Sequence, residues 1–293
     1  MKKTYILRIV FLVFLLVLIS QSCREKPAPF NEDALDVPYV PTPVRVVKEM
    51  FRLAEIKEGD VLLDLGCGDG RIPINAAVQY GIKAYGVDLN PERIRESVRN
   101  AHIAGVDHLV EFCEQDIFET DLTDATVITM YLLPSVNLRL RPKILTSVKP
   151  GTRIVSHDFN MNEWVPDKDA MVFIEDEAHT VYYWMVPANV TGEWAFKIDE
   201  PPLEVTIKFD QVFQFVQGSV MTEEEGWKVL EEQLKGDKFI FKLESPRLVW
   251  FFNGKVKEDA MRGEAEMGGS GKKAAWEAVR NPDTKEPLDI LSQ

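Results

Sequence analysis

Cysteine and histidine are scarce in this chain: its 293 residues hold three Cys and four His. Cys67 falls in a glycine turn and Cys113 in a predicted strand, which argues against a disulfide framework and leaves both as reduced packing residues. No Cys/His spacing suggests a metal site, so none is expected. Basic charge is also in short supply. Lys and Arg number 34 against 47 Asp and Glu, for a net charge of -13. Both the part before Val190 and the part after it carry more acid than base. A phosphate backbone therefore has no electrostatic footprint to bind, and no nucleic-acid partner is expected. The cluster of Arg139, Arg141 and Lys143 reads as a solvated helix face. Long hydrophobic runs are missing too. Ile9 to Ile19 is uninterrupted but short of the ~20 residues a spanning helix needs.

That short run still carries information. Lys2, Lys3 and Arg8 precede it and "SQSC" follows, the order of an export signal. Cys23 at the boundary suggests lipoprotein processing, although Ser20 stands where a lipobox carries Leu. Residues 1–26 are thus expected to be a signal peptide or membrane anchor. A bacterial lipoprotein, a retained anchor and a cleaved exported form all stay open, with membrane association as the broader statement. Residues 27–43 read as a Pro-rich linker.

The remainder has ordinary globular composition, 45% hydrophobic with 17 Gly and 17 Pro, enough for one sizeable core and a smaller one. From Val44 strands and helices alternate. "VRVVKEMFRLAEI" has helical spacing, "VLLDLG" is a strand and "RIPINAAVQYG" a helix closed by Gly81. "KAYGVDLN" is a second strand, and Pro91 opens the helix that follows. "LVEFCEQD", "ATVITMYLL" and "TRIVSHDF" continue the strands, with a helix in "NLRLRPKILTSV". "MVFIEDE" and "HTVYYWMVPA" form a hairpin. The expected fold over 44–188 is α/β, a doubly wound, mostly parallel seven-strand sheet with a C-terminal antiparallel hairpin strand. After Pro187 the texture changes to short alternating runs with turns expected at Gly218, Gly236, Gly254 and Gly263. Residues 189–281 are therefore expected to be a small antiparallel β domain, a meander or small barrel. Its aromatic residues should mostly be core, with "WFFN" exposing one ring. Residues 282–293 are expected to be a disordered tail.

The chemistry concentrates in "VLLDLGCGDGRI". Three glycines, Gly66, Gly68 and Gly70, follow a buried strand and open a helix, where a sharp turn and close ligand approach exclude side chains. A nucleotide-like ligand at the strand's carboxyl end is favoured. A dinucleotide fingerprint would need glycine where Arg71 stands, and the Lys-Ser or Lys-Thr of a P-loop is absent. The pattern, with Asp64 just ahead of the first glycine, resembles motif I of the class I S-adenosylmethionine-dependent methyltransferases. Over about residues 38–187 the chain is similar to that family. "PYVPTP" ahead of the first helix resembles its seven-strand lysine methyltransferase branch.

The resemblance implies S-adenosyl-L-methionine as cofactor and an in-line displacement at its sulfonium methyl. It implies cofactor contacts at Asp64, Gly66, Cys67, Gly68 and Gly70. Asp88 would take the ribose hydroxyls with Leu89 beside it. Asp116 would accept from the adenine amino group, beside the Ile117 backbone. Tyr39 and Thr42 would help close the site. On the substrate side the candidates are Tyr131 after the fourth strand and His157 and Asp158 at the end of the fifth. His102, His108 and His179 rank lower. The acceptor is expected to be a protein, with lysine the residue suggested by the branch. A small-molecule acceptor held by the β domain and a non-catalytic cofactor-binding protein are the alternatives. An outward-directed N-terminus conflicts with the cytoplasmic source of the cofactor.

Overall fold

The computed structural model describes residues 37–222 and 225–288. The expected leader at 1–26, residues 27–36 of the expected linker and residues 289–293 of the expected tail lie outside them. The first sheet is built from β1 (Val61–Leu65), β2 (Lys83–Asp88), β3 (Val110–Glu114), β4 (Val127–Met130), β5 (Arg153–His157), β6 (Lys168–Ile174) and β7 (Glu177–Met185). Its order is β3-β2-β1-β4-β5-β7-β6; β1 to β5 run parallel and β7 lies antiparallel between β5 and β6. All five parallel strands thus deliver their carboxyl ends to one edge.

Both faces of this sheet are covered, because its strands place successive side chains on opposite sides. Leu62, Val127 and Val155 meet α1 (Val44–Ala54), which buries Val46, Val47, Met50, Phe51 and Leu53 against them. Leu63, Leu65, Ile128 and Ile154 face the other way, with Val136, Leu140 and Ile144 of α4 (Pro134–Ser147). Each such side chain, fully buried, is worth roughly 1.5–3 kcal/mol. Local signals set the remaining helices. Gly70 and Gly81, both left-handed, bracket α2 (Arg71–Tyr80). In α3 (Pro91–Ala104) the Asn90 side chain accepts from the Glu92 N–H, Pro91 fills the first turn and Gly105 closes the end. Among the described residues no helix is long and apolar enough to cross a membrane.

The second sheet runs through β8 (Gly192–Ile198), β9 (Leu203–Val212), β10 (Phe215–Val220), β11 (Lys228–Lys235), β12 (Lys238–Glu244), β13 (Val249–Lys257), β14 (Ala260–Met267) and β15 (Lys272–Arg280). Every paired neighbour is antiparallel, and β15 returns to β8. The outer strands β10 and β11 come together where the Gly218 N–H donates to Glu232 Oε1 at 2.8 Å. Trp194, Phe196, Phe209, Phe239, Phe241, Trp250, Phe252 and Trp276 fill the interior, while Phe251 points outward.

Three expectations need correction here. Gly218, Gly254 and Gly263 lie inside strands and not in turns. Gly254 pairs with Gly263, and a Cβ at Gly254 would stand 2.3 Å from the Trp276 indole, while one at Gly263 would stand 2.0 Å from the Asn253 carbonyl oxygen; the glycines mark close approaches of a ring and of the neighbouring backbone. Cys113 is exposed on edge strand β3 and is not a core residue. The tail is ordered through residue 288. Pro282–Thr284 form a 3₁₀ turn, the Glu286 N–H donates to Thr191 Oγ1 at 2.9 Å, and Leu288 is buried in the first core.

The second sheet is joined firmly to the first. Phe213, between β9 and β10, belongs to the first core: its ring stacks on Trp164 at 5.9 Å, and the Arg141 guanidinium lies 5.3 Å from its centroid. Gln211 ties the joint, donating to the carbonyls of Ala188 and Phe213 and accepting from the Val190 N–H.

Candidate active site

The carboxyl ends of β1, β2 and β3 carry most of the expected cofactor residues. After β1 the chain bends sharply, and the N–H groups of Gly66 and Cys67 both donate to the Val87 carbonyl at 2.9 Å. The three glycines then do different jobs. A Cβ on Gly66 would stand 2.9 Å from Leu132, and one on Gly70 would stand 2.6 Å from Ser97 and 2.7 Å from Phe112. Gly70 therefore serves helix packing. Gly68, at φ +54°, lies under the Tyr39 ring, where a Cβ would be 2.4 Å from Cε2. Its N–H donates to Asp88 Oδ2 at 2.9 Å, and the Asn90 N–H donates to Oδ1 at 2.8 Å. Each Asp88 oxygen keeps capacity to accept another donor.

Asp64 is buried within β1, accepting from Thr129 Oγ1 at 2.7 Å. Burial pushes its carboxyl up to about 7, and the negative charges of Asp88 and Asp69 add to the rise. Burial likewise pushes the Cys67 thiol well up, so this sulfur is inert packing. Leu89 is exposed beside Asp88. Asp116 turns back on its own loop, one oxygen accepting from the Phe118 N–H at 2.8 Å, and Ile117 packs partly buried against the first core.

Residues 37–43 cross over this loop. Tyr39 is sandwiched between Gly68 and the Arg93 guanidinium, 4.2 Å from its ring centroid. Arg71 pairs with Asp69 at 2.7 Å and donates to the Thr42 carbonyl at 2.9 Å, so the helix that opens at the glycine turn also fastens the strap. Asp69 and Arg71 are contributors that motif reasoning passed over, although both lie inside the quoted glycine stretch.

At the ends of β4 and β5 a second group forms. Tyr131 lies over His157 with ring centroids 3.8 Å apart, and its hydroxyl donates to Asp158 Oδ2 at 3.4 Å. Phe159 stacks behind it at 6.1 Å. Asp158 adopts a left-handed φ of 60°, and the Thr180 N–H holds its Oδ1 at 2.8 Å. His157 reaches no solvent; its Nδ1 meets Thr42 Oγ1 at 3.3 Å. Burial pulls this imidazole down to about 4, against the pull of Asp158, so it is neutral at pH 7. His179, ranked low from sequence, is a full member. It comes from β7, with Nδ1 3.0 Å from His157 Nε2 and 3.1 Å from Asp158 Oδ2. His102 and His108 stand exposed elsewhere.

Comparison with known proteins gives the family. A family model described as the ANTKMT methyltransferase domain matches residues 64–168. A protein-lysine N-methyltransferase of Saccharolobus islandicus is 45% identical over 151 residues, 51% of this chain and 94% of that protein. The adenine nucleotide translocase lysine N-methyltransferase of Mus musculus is 35% identical over 133 residues, 45% of this chain and 57% of the mouse protein. A solved chain from Salinibacter ruber, described as an RNA methyltransferase in complex with S-adenosyl-L-homocysteine, is 48% identical. That match covers 52% of this chain and 96% of the other, with a TM-score of 0.49. With a glycine loop, strand-end carboxylates and a relative matched over nearly its whole length, this chain belongs to the protein-lysine N-methyltransferases of the class I, S-adenosylmethionine-dependent type.

Proposed function

We propose that this enzyme methylates a lysine side chain of a protein acceptor near a membrane. The observation that carries the cofactor half is the Gly68 N–H on the Asp88 carboxylate beneath the Tyr39 ring. The cradle suits S-adenosylmethionine in charge as well as shape. Asp64 is buried beside two further carboxylates, so what it calls for is a cationic group such as the amino end of that molecule. Asp88 is assigned to the ribose, Asp116 and the Ile117 backbone to the adenine, with Leu89 lining and Tyr39 and Thr42 closing the site. When bound, S-adenosylmethionine supplies an electrophilic sulfonium methyl.

The chain's own contribution is to place and deprotonate the nucleophile. A lysine ammonium titrates near 10.4 in water, so it must shed a proton before attack. Tyr131 and Phe159 offer an aromatic wall that strips water from the entering side chain, which favours the neutral amine. Asp158 is the carboxylate on that wall; it draws in the ammonium and receives its proton. Holding amine and methyl in line then supplies much of the acceleration. His157, buried and neutral, positions Tyr131 and does not touch the acceptor.

Membrane association through the N-terminus is part of the proposal, supported by Lys2, Lys3 and Arg8 ahead of the apolar run. The test uses the full chain in detergent. Calorimetry should find micromolar S-adenosylmethionine binding that Asp88→Ala removes. Label from the methyl donor should then enter lysine of membrane-fraction proteins. Label entering RNA or small molecules instead would overturn the acceptor assignment; no cofactor binding by folded protein would overturn the enzyme.

A further inference from the structure

The cluster behind Tyr131 contains more than a proton acceptor needs. His157 Nε2, His179 Nδ1 and Asp158 Oδ2 form a nearly equilateral triangle, with sides of 3.0, 3.1 and 3.2 Å. Hydrogen bonds can be drawn around such a triangle only by crowding like groups together. If both imidazole nitrogens carry hydrogen toward Asp158, two N–H groups oppose each other. If only one does, the other presents a lone pair to the carboxylate oxygen. Every assignment leaves one close contact of like against like, N–H against N–H at 3.0 Å or lone pair against lone pair at 3.1 to 3.2 Å.

We propose that these three atoms bind a divalent first-row transition-metal cation. A cation accepts all three lone pairs together and removes the conflict. Two imidazoles and one carboxylate on one face is a donor set such ions favour. Metal–ligand bonds of about 2.0–2.2 Å set ligand atoms roughly 3 Å apart, the spacing present here. The atoms behind the donors are also fixed. Thr42 Oγ1 meets Nδ1 of His157, and the Thr180 N–H holds the second oxygen of Asp158. Such partners orient ligands in metal sites. His157 is wholly buried, so the ion enters from the side of His179 and Asp158, whose side chains are 15% and 24% exposed. The three residues come from the end of β5 and from β7, which explains why no sequence spacing announced them. Metal binding itself does not depend on the acceptor assigned above. Its consequence does: an ion on Asp158 competes with the acceptor amine, so occupancy inhibits methyl transfer.

The test titrates Co²⁺ and Zn²⁺ into the full chain after chelator treatment, following the visible absorption of Co²⁺ and the heat of binding. One equivalent should bind at micromolar or tighter affinity. His179→Ala and the milder His179→Gln should each weaken it at least 30-fold, and Thr42→Val about 10-fold. A variant lacking both His102 and His108 should bind as the parent does. If the His179 variants, folded by circular dichroism, bind as tightly as the parent, or the parent binds no tighter than millimolar, the site is overturned. Added Zn²⁺ that binds at the triad yet leaves methyl transfer unchanged would overturn the competition alone.

Discussion

Tyr39 lies flat against Gly68, so close that a single added carbon on that glycine would stand 2.4 Å from the ring. The contact couples the strap at residues 37–43 to the loop whose Gly68 N–H holds the Asp88 carboxylate. A Gly68→Ala chain must push Tyr39 outward, and must also hold a non-glycine residue at φ +54°, which costs roughly 1–2 kcal/mol. Calorimetry should show S-adenosylmethionine affinity falling at least tenfold. In a Tyr39→Ala background the same substitution should cost less, because the clash is gone, and a double-mutant cycle reads that difference directly.

Asp64, as assigned to the cofactor, should make cofactor binding depend on pH. Its carboxyl is raised to about 7 in the folded chain and returns to about 3.9 on unfolding. The folded state therefore holds the extra proton between those values. The associated stability is complete below about pH 4 and is lost as pH rises through 7, on the order of 4 kcal/mol in all. Asp64→Asn, which cannot charge, should lack this loss, so its melting temperature should exceed that of the parent at pH 8 by more than at pH 5. A cationic ligand group favours the charged carboxylate. Cofactor affinity should thus rise from pH 6 to pH 8 with proton release, detected as a buffer-dependent heat, and the Asn variant should show neither.

Phe213 sits in the other sheet's core, stacked on Trp164. Phe213→Ala removes a fully buried ring and should cost about 3–5 kcal/mol. Because the ring bridges the two sheets, urea unfolding should split from one transition into two. A single transition with unchanged midpoint would mean that Gln211 and the buried Leu288 hold the sheets together without it.

The residues of the site and of the two sheets differ in how far the sequence discloses them. The glycine loop, Asp64 and Asp88 are legible because sharp turns and strand ends impose local residue types within a short window. The alternation of the second sheet is legible for the same reason, since burial on one face repeats every second residue. His179 is not, because it reaches Asp158 only through the antiparallel register that sets His157 opposite Val181. Gly254 and Gly263 look like turns in one dimension; the ring of Trp276 against Gly254 and the Asn253 backbone against Gly263 explain their absence of side chains. Leu288 carries no periodic signal, following the polar and proline run "NPDTKEP", and its burial follows from the Thr191 and Asn189 contacts that fold residues 282–288 back.

Tyr131 separates packing from chemistry at the acceptor side. Its ring covers His157, while its hydroxyl reaches Asp158 Oδ2. Burial and the Asp158 charge both raise its pKa, so at pH 7 to 9 the hydroxyl keeps its hydrogen and donates. Tyr131→Phe preserves the ring and deletes that donor. If the hydroxyl orients Asp158 toward the acceptor amine, kcat/KM for the protein acceptor should fall about tenfold, the worth of one hydrogen bond. S-adenosylmethionine affinity should be unchanged, because the residues assigned to the cofactor lie after β1, β2 and β3 and on the strap. Tyr131→Ala should cost more, since it opens the wall to water and lets the amine keep its proton; raising the pH should then recover part of the lost rate. An unaltered kcat/KM in the Phe variant would reduce Tyr131 to a packing ring and leave Asp158 to act without it.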